Sequence, residues 1–167
     1  RGRPHAGEHL TLTRLPETTD ERISDMSSKV SGLLTEAIAP ELQEAMYRPG
    51  IERDFPVLLP YMTEINKAHL LMLRKTGILS ADVARALVQV TLELEEAGPS
   101  AFTLDPALED SYFNYEAKIT ELTGVEIGGR VHTARSRNDL KATLDRMRAR
   151  EKALAVIERL AAVRWAL

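Results

Sequence analysis

Apolar residues recur at helical spacing along most of the chain, and Gly and Pro break the pattern into segments. Ile23, Met26, Val30 and Leu33-Leu34 begin such a spacing, interrupted by Gly32. Ahead of them, Pro4, Gly7, Pro16 and the Thr18-Thr19-Asp20 run read as an extended or disordered arm, taken here as residues 1–31. A helix is expected from Thr35 to Tyr47, opening at Thr35 or at Ala39-Pro40, with Leu42 and Met46 on one face and Arg48-Pro49-Gly50 ending it. Asp54 can cap the next helix with Pro56 in its first turn, while Pro60 either kinks that helix or starts it. Tyr61, Ile65, His69 (or Ala68), Met72 and Leu73 carry the period to a stop at Gly77.

Ser80-Ala81-Asp82 opens a further helix through Val83, Leu87, Val90 (with Val88) and Leu94, closed by Gly98-Pro99. Tyr61 to Glu96 therefore reads as a helical hairpin. After a loop, Glu109-Asp110 leads into a helix with Tyr112 or Phe113, Glu116, Ile119 and Leu122, ending at Gly124. The last pattern is the longest: Leu140, Leu144, Met147, Leu154, Ile157, Leu160 and Trp165, with no Gly or Pro among them. Such length predicts a coiled-coil or bundle helix, with Arg146, Arg148, Arg150, Glu151, Lys152, Glu158 and Arg159 on its solvated face. A stripe still running at Leu167 is expected to continue in a longer polypeptide or to be covered by assembly.

Composition narrows this picture. The 167 residues are 44% hydrophobic but only 5% aromatic, and Leu, Ala, Glu and Arg dominate, favouring helices over sheets. A formal net charge of −3 gives no general case for nucleic acid, so any basic surface must be local. Cysteine is absent, which removes disulfide and thiol chemistry and fits a cytoplasmic protein. No apolar run approaches the ~20 residues of a membrane span, so no membrane partner is expected. His69 has no partner at i+3 or i+4; it is a metal ligand or, the commoner case, a packed or surface side chain, and no metal is expected.

The local basic surface is the turn Gly128-Gly129-Arg130-Val131-His132-Thr133-Ala134-Arg135-Ser136-Arg137-Asn138-Asp139. Its two glycines permit a tight turn that a Cβ would obstruct. Asn138 and Asp139 are N-cap types immediately ahead of the long helix, and a helix N-terminus already favours an anion. Arginine forks suit carboxylate or phosphate, with hydroxyl and amide groups adding directional bonds. The alternatives are an anion-recognition turn or a solvated basic loop; the glycine spacing and Lys-Ser/Thr ending of a phosphate loop are missing. Asp110, likewise, either caps its helix or joins Glu109 and the nearby aromatics in lining a site.

His132-Thr133-Ala134-Arg135-Ser136-Arg137-Asn138-Asp139 closely resembles the first signature block of argininosuccinate lyase, in the fumarase/aspartase superfamily. The family form is H-T-[GA]-R-S-R-N-D-Q-V-A-T-D; every position from His132 to Asp139 agrees, as do Ala142-Thr143. Glu109-Asp110 with Glu121-Leu122-Thr123-Gly124 is similar to the E-D-x-H…E-L-x-G segment, Gly77-Ile78-Leu79 to a G-I-L element, and Gly32-Leu33-Leu34 to an early G-R-[FL] element. The likeness covers residues 32–165 and corresponds to the N-terminal segment of such an enzyme.

The resemblance implies an all-α fold: an N-terminal helical domain over 32–127, then the turn and the start of a central bundle helix over 128–167. It implies β-elimination of argininosuccinate to arginine and fumarate, in arginine biosynthesis, without a cofactor. The small-molecule dicarboxylate would be held by Ser136, Arg137 and Asn138, supported by His132, Thr133, Arg135 and Asp110. The family's catalytic base lies on a Gly-Ser-Ser loop that this chain does not contain, so no catalytic residue is expected here and the segment alone should be inactive. Family sites are assembled from three chains of a homotetramer.

Departures from the pattern concern specificity. Leu140, Lys141 and Leu144 replace the family's Gln, Val and final Asp, Tyr112 replaces its His, and Gly50 falls where an early substrate-touching serine is expected. The alternatives are therefore a divergent lyase for another amino-linked succinate, or a non-catalytic anion-binding or oligomeric helical scaffold.

Overall fold

A computed structural model describes residues 38–166. The arm, the spacing from Ile23 to Leu34 and the Thr35 start all lie outside the described residues. Among those described there are helices and turns and no strand, so the fold is all-α. The helices are α1 (Pro40–Leu42), α2 (Arg48–Lys75), α3 (Ala81–Ala97), α4 (Ser111–Thr123), α5 (Val125–Gly128) and α6 (Arg137–Ala166).

The expected break at Arg48-Pro49-Gly50 does not occur. A π-helical stretch, Gln43–Tyr47, joins α1 directly to α2, and Asp54 is interior to α2, where its carboxylate pairs with Arg53 rather than capping anything. The wider π turn comes immediately before Pro49, where a missing N–H and a bulky ring would strain a standard ladder. Pro56 and Pro60 also lie inside α2, both on its exposed side. Burial on the opposite side carries the helix past them: Ile51, Phe55, Leu59, Met62, Thr63, Asn66, Leu70 and Leu73 are all buried. This face is rotated from the expected one, for Tyr61 and Ile65 are half-buried and Met72 is exposed, as are Leu42 and Met46.

The hairpin ends as expected. Gly77 takes φ +78° after α2, Ser80 Oγ accepts from Val83 N, and Gly98 follows α3 with φ +70°. Packing of α2 on α3 and of both on α4 builds one core containing Phe55, Met62, Leu70, Leu87, Tyr115 and Ile119, extended by Val131, Leu140 and Leu144. Phe102, from the loop before α4, stacks on Tyr115 with ring centroids 5.7 Å apart and meets Phe55 at a tilt, 4.7 Å away. Only the first turns of α6 join this core; Leu154, Ile157, Leu160 and Trp165 are exposed, the last two by 64% and 89%. No described helix is long and apolar enough to cross a membrane.

Candidate active-site turn

The turn begins where α5 meets α4 at very close range. An added Cβ on Gly128 would lie 2.5 Å from Thr120 Cα, whereas one on Gly129 would meet nothing within 4 Å. The two glycines are therefore not equivalent: Gly128 sets the approach, and Gly129 is replaceable. A 3-10 turn, Gly129–His132, then buries Val131 in the core. Ala134 follows with φ +58°, a left-handed conformation uncommon for a residue with a Cβ.

Hydrogen bonds from two helices hold this bend. Arg135 Nη2 donates to Asn66 Oδ1 at 2.7 Å, to the Tyr112 hydroxyl at 2.9 Å and to the Val131 carbonyl at 3.4 Å. His69 Nε2 donates to the Thr133 carbonyl at 2.9 Å, since a carbonyl can only accept. Burial, with Arg135 nearby, pushes His69 below its usual range. His132 Nδ1 lies 3.1 Å from the Tyr112 hydroxyl and 3.3 Å from Glu116, whose carboxyl burial pushes up. His69 is thus a packed histidine tied to the turn, and no cluster suited to a metal ion is found among the described residues.

The cap of α6 differs from expectation. The helix starts at Arg137, not after Asn138-Asp139, and Ser136 caps it. Ser136 Oγ accepts from Asp139 N at 3.3 Å, and Asp139 Oδ2 accepts from Ser136 N at 2.8 Å, the reciprocal pattern of a capping box. These bonds hold the Asp139 carboxyl below its ordinary range. With the cap two residues before Asn138, Arg137 occupies the first turn of α6.

Arg137 projects over the Phe113 ring, 4.9 Å from its centroid, and donates to Asp110 Oδ2 at 3.1 Å; Glu109 Oε2 is 3.7 Å away. Asp110 does both things its sequence position allowed: its other oxygen caps α4 by accepting from Phe113 N at 2.9 Å. Glu109 is held at φ +66°. These three residues line a groove of about 330 Å3 floored by Ile51, Leu58, Met62, Leu140 and Leu144. Its rim has mixed charge, with Lys141, Arg148, Asp54 and Asp145, and Gly50 and Tyr112 also line it. Ser136 and Asn138 are exposed at the leading end of α6 and do not line the groove.

Chemically, the groove offers a cation at a helix start beside an apolar floor, an arrangement suited to a small carboxylate with an organic body. In the free chain that cation is already paired, so an incoming carboxylate must exchange with Asp110 and Glu109. The sequence reading missed Asn66 and the roles of Glu116 and Tyr112. Asn66 left a trace: it is a lone amide on a buried stripe of α2 that is otherwise mostly apolar.

Several curated proteins similar to the chain are argininosuccinate lyases. The chain is 43% identical over 136 residues to argininosuccinate lyase 1 of Shouchella clausii, a match covering 81% of this chain and 27% of that one. It is 32% identical over 129 residues to the argininosuccinate lyase of Methanosarcina acetivorans, covering 77% and 26%. Against argininosuccinate lyase 2 of Agrobacterium fabrum it is 33% identical over 114 residues, covering 68% and 23%. The matches thus span about a quarter of the length of these relatives. No family model and no solved structure matches the chain.

Proposed function

The chain belongs to the argininosuccinate lyase family, and we propose that it forms the carboxylate-holding part of a carbon–nitrogen lyase that splits argininosuccinate into arginine and fumarate. In this β-elimination a proton leaves the succinyl Cβ and the C–N bond breaks, with the electron pair leaving on nitrogen. Negative charge builds on the adjacent carboxylate as the proton departs, so donors fixed around that carboxylate lower the barrier. Arg137 supplies charge and a fork on the groove wall; Ser136 and Asn138, outside the groove at the same helix start, are the hydroxyl and amide that the family resemblance assigns to the substrate. Arg135, His132 and Thr133 hold the bend, and Asp110 orients Arg137.

The observation that carries this reading is Arg137 in the first turn of a 30-residue helix, on a groove wall, inside the run His132–Asp139 that agrees with the family signature at every position. The proton-abstracting base belongs to another segment, so the 167-residue chain alone is inactive. Residues 32–127 act as the N-terminal domain and 128–167 as the turn and first part of a bundle helix in a cytoplasmic homotetramer. The exposed row Leu154, Ile157, Leu160 and Trp165 supports burial of that helix in an assembly.

A hybrid tests this: the matching segment of the Shouchella clausii enzyme is replaced by this chain, and fumarate release from argininosuccinate is followed. Turnover by the hybrid, with none from the chain alone, is expected. A folded, assembled hybrid without turnover would overturn the assignment.

A further inference from the structure

Side chains of α2 and α4 converge beneath the groove on the single guanidinium of Arg135, and they are not equivalent. Asn66 and the Val131 carbonyl touch Arg135 alone among the turn's side chains. Tyr112 touches more. Its hydroxyl accepts from Arg135 Nη2 at 2.9 Å and lies 3.1 Å from His132 Nδ1; its ring lies 5.4 Å from the Arg135 guanidinium carbon and lines the groove. Resting on the carboxylate-holding reading above, we propose that Tyr112 is a positioning residue: one hydroxyl closes the turn from both sides and thereby sets Arg137 on the groove wall.

Hydrogen-bond bookkeeping supports this. Arginine can only donate, so the Tyr112 oxygen accepts there; its own proton goes to His132 Nδ1 in the tautomer that leaves this nitrogen bare, with Glu116 3.3 Å from the same atom. Those two partners flank Thr133-Ala134, where Ala134 holds its left-handed backbone conformation; a strained residue persists only where its surroundings over-determine it. Arg135's buried Nε and Nη1 find no partner, so all its hydrogen bonds, to Asn66, Tyr112 and Val131, run through Nη2. Tyr112 is 4% exposed, and burial pushes its hydroxyl up to about 12, so it stays protonated across the working range. Arg137 is two residues beyond Arg135, and slack at Arg135 is passed to it directly.

Tyr112→Phe keeps the ring and removes only the oxygen. Ile119→Val, a buried change on the same helix, controls for ordinary loss of packing. In nitrogen NMR of the 167-residue chain, the Arg135 Nε–H signal should be sharp and resolved in the unsubstituted protein and in Ile119→Val, and exchange-broadened in Tyr112→Phe. In the hybrid enzyme, Tyr112→Phe should lower kcat/KM for argininosuccinate by about tenfold or more, as expected for loss of a bond to a charged group, and Ile119→Val should leave it within about twofold. An Arg135 signal unchanged in Tyr112→Phe, or equal activity losses in both variants, would overturn the proposal. If the unsubstituted hybrid is inactive, the lyase reading fails, and the Arg135 signal alone decides the role of Tyr112.

Discussion

Gly128→Ala is a small change with a large expected effect. Its new methyl would sit 2.5 Å from Thr120 Cα, 2.8 Å from Thr120 Oγ1 and 2.9 Å from Thr123 Oγ1. The two hydroxyls can rotate, but the Cα cannot yield without moving α4. Overpacking of this kind costs about 1–3 kcal/mol. Gly128 is helical at φ −60° and ψ −42°, so alanine recovers roughly 0.5–1 kcal/mol of backbone entropy. The net expectation is about 1–2 kcal/mol of destabilisation. Gly129→Ala should do the reverse, because nothing lies within 4 Å and φ is −59°; it should stabilise by roughly 0.4–1 kcal/mol. Urea unfolding with an unchanged m-value reads both, as midpoints displaced in opposite directions. Midpoints that move together, or a Gly128→Ala chain as stable as its parent, would refute the claim that close contact with α4 anchors the turn.

Arg135→Lys should cost about 1–3 kcal/mol in the same assay, because a lysine nitrogen stops one atom short of the Nη2 that serves Asn66, Tyr112 and Val131, and buried acceptors are left unpaired; a neutral result would mean the clamp contributes nothing. Because the folded pKa of His69 lies below its ordinary 6.5, the unfolded chain binds the extra proton first. Stability should therefore be full above about pH 6.5 and decline as pH falls through the window beneath it, and His69→Gln should flatten that decline. Identical pH slopes for the two proteins would contradict the assignment. Glu109→Gln removes one of two carboxylates competing for Arg137 and should lower the hybrid's KM by about two- to fivefold, the scale of a partly exposed ion pair; an unchanged KM would show that Glu109 does not compete.

Much of the fold was written in local signals. Ser80, Gly77 and Gly98 marked the hairpin ends because capping and left-handed conformations depend on residues close in sequence. Pro49, Pro56 and Pro60 misled for a related reason: proline penalties are local, whereas the burial that outweighs them depends on α3 and α4, far along the chain. The one-step rotation of the buried face of α2 followed from Asn66 and Thr63 facing inward, which no apolar period reveals. At the turn, the residue run pointed to anion chemistry and to the start of a long helix. Which hydroxyl caps that helix, and that Arg137 is already held by Asp110, are long-range or geometric facts. Gly128 and Gly129 look alike in sequence; only the distance to Thr120 separates them.

Removing Arg137 and Asn138 one at a time tests the central claim most directly. In the hybrid enzyme, Arg137→Ala and Asn138→Ala should each lower kcat/KM for argininosuccinate by orders of magnitude while the assembled protein keeps its thermal midpoint. Fumarate release at the unsubstituted rate by either variant would contradict the account.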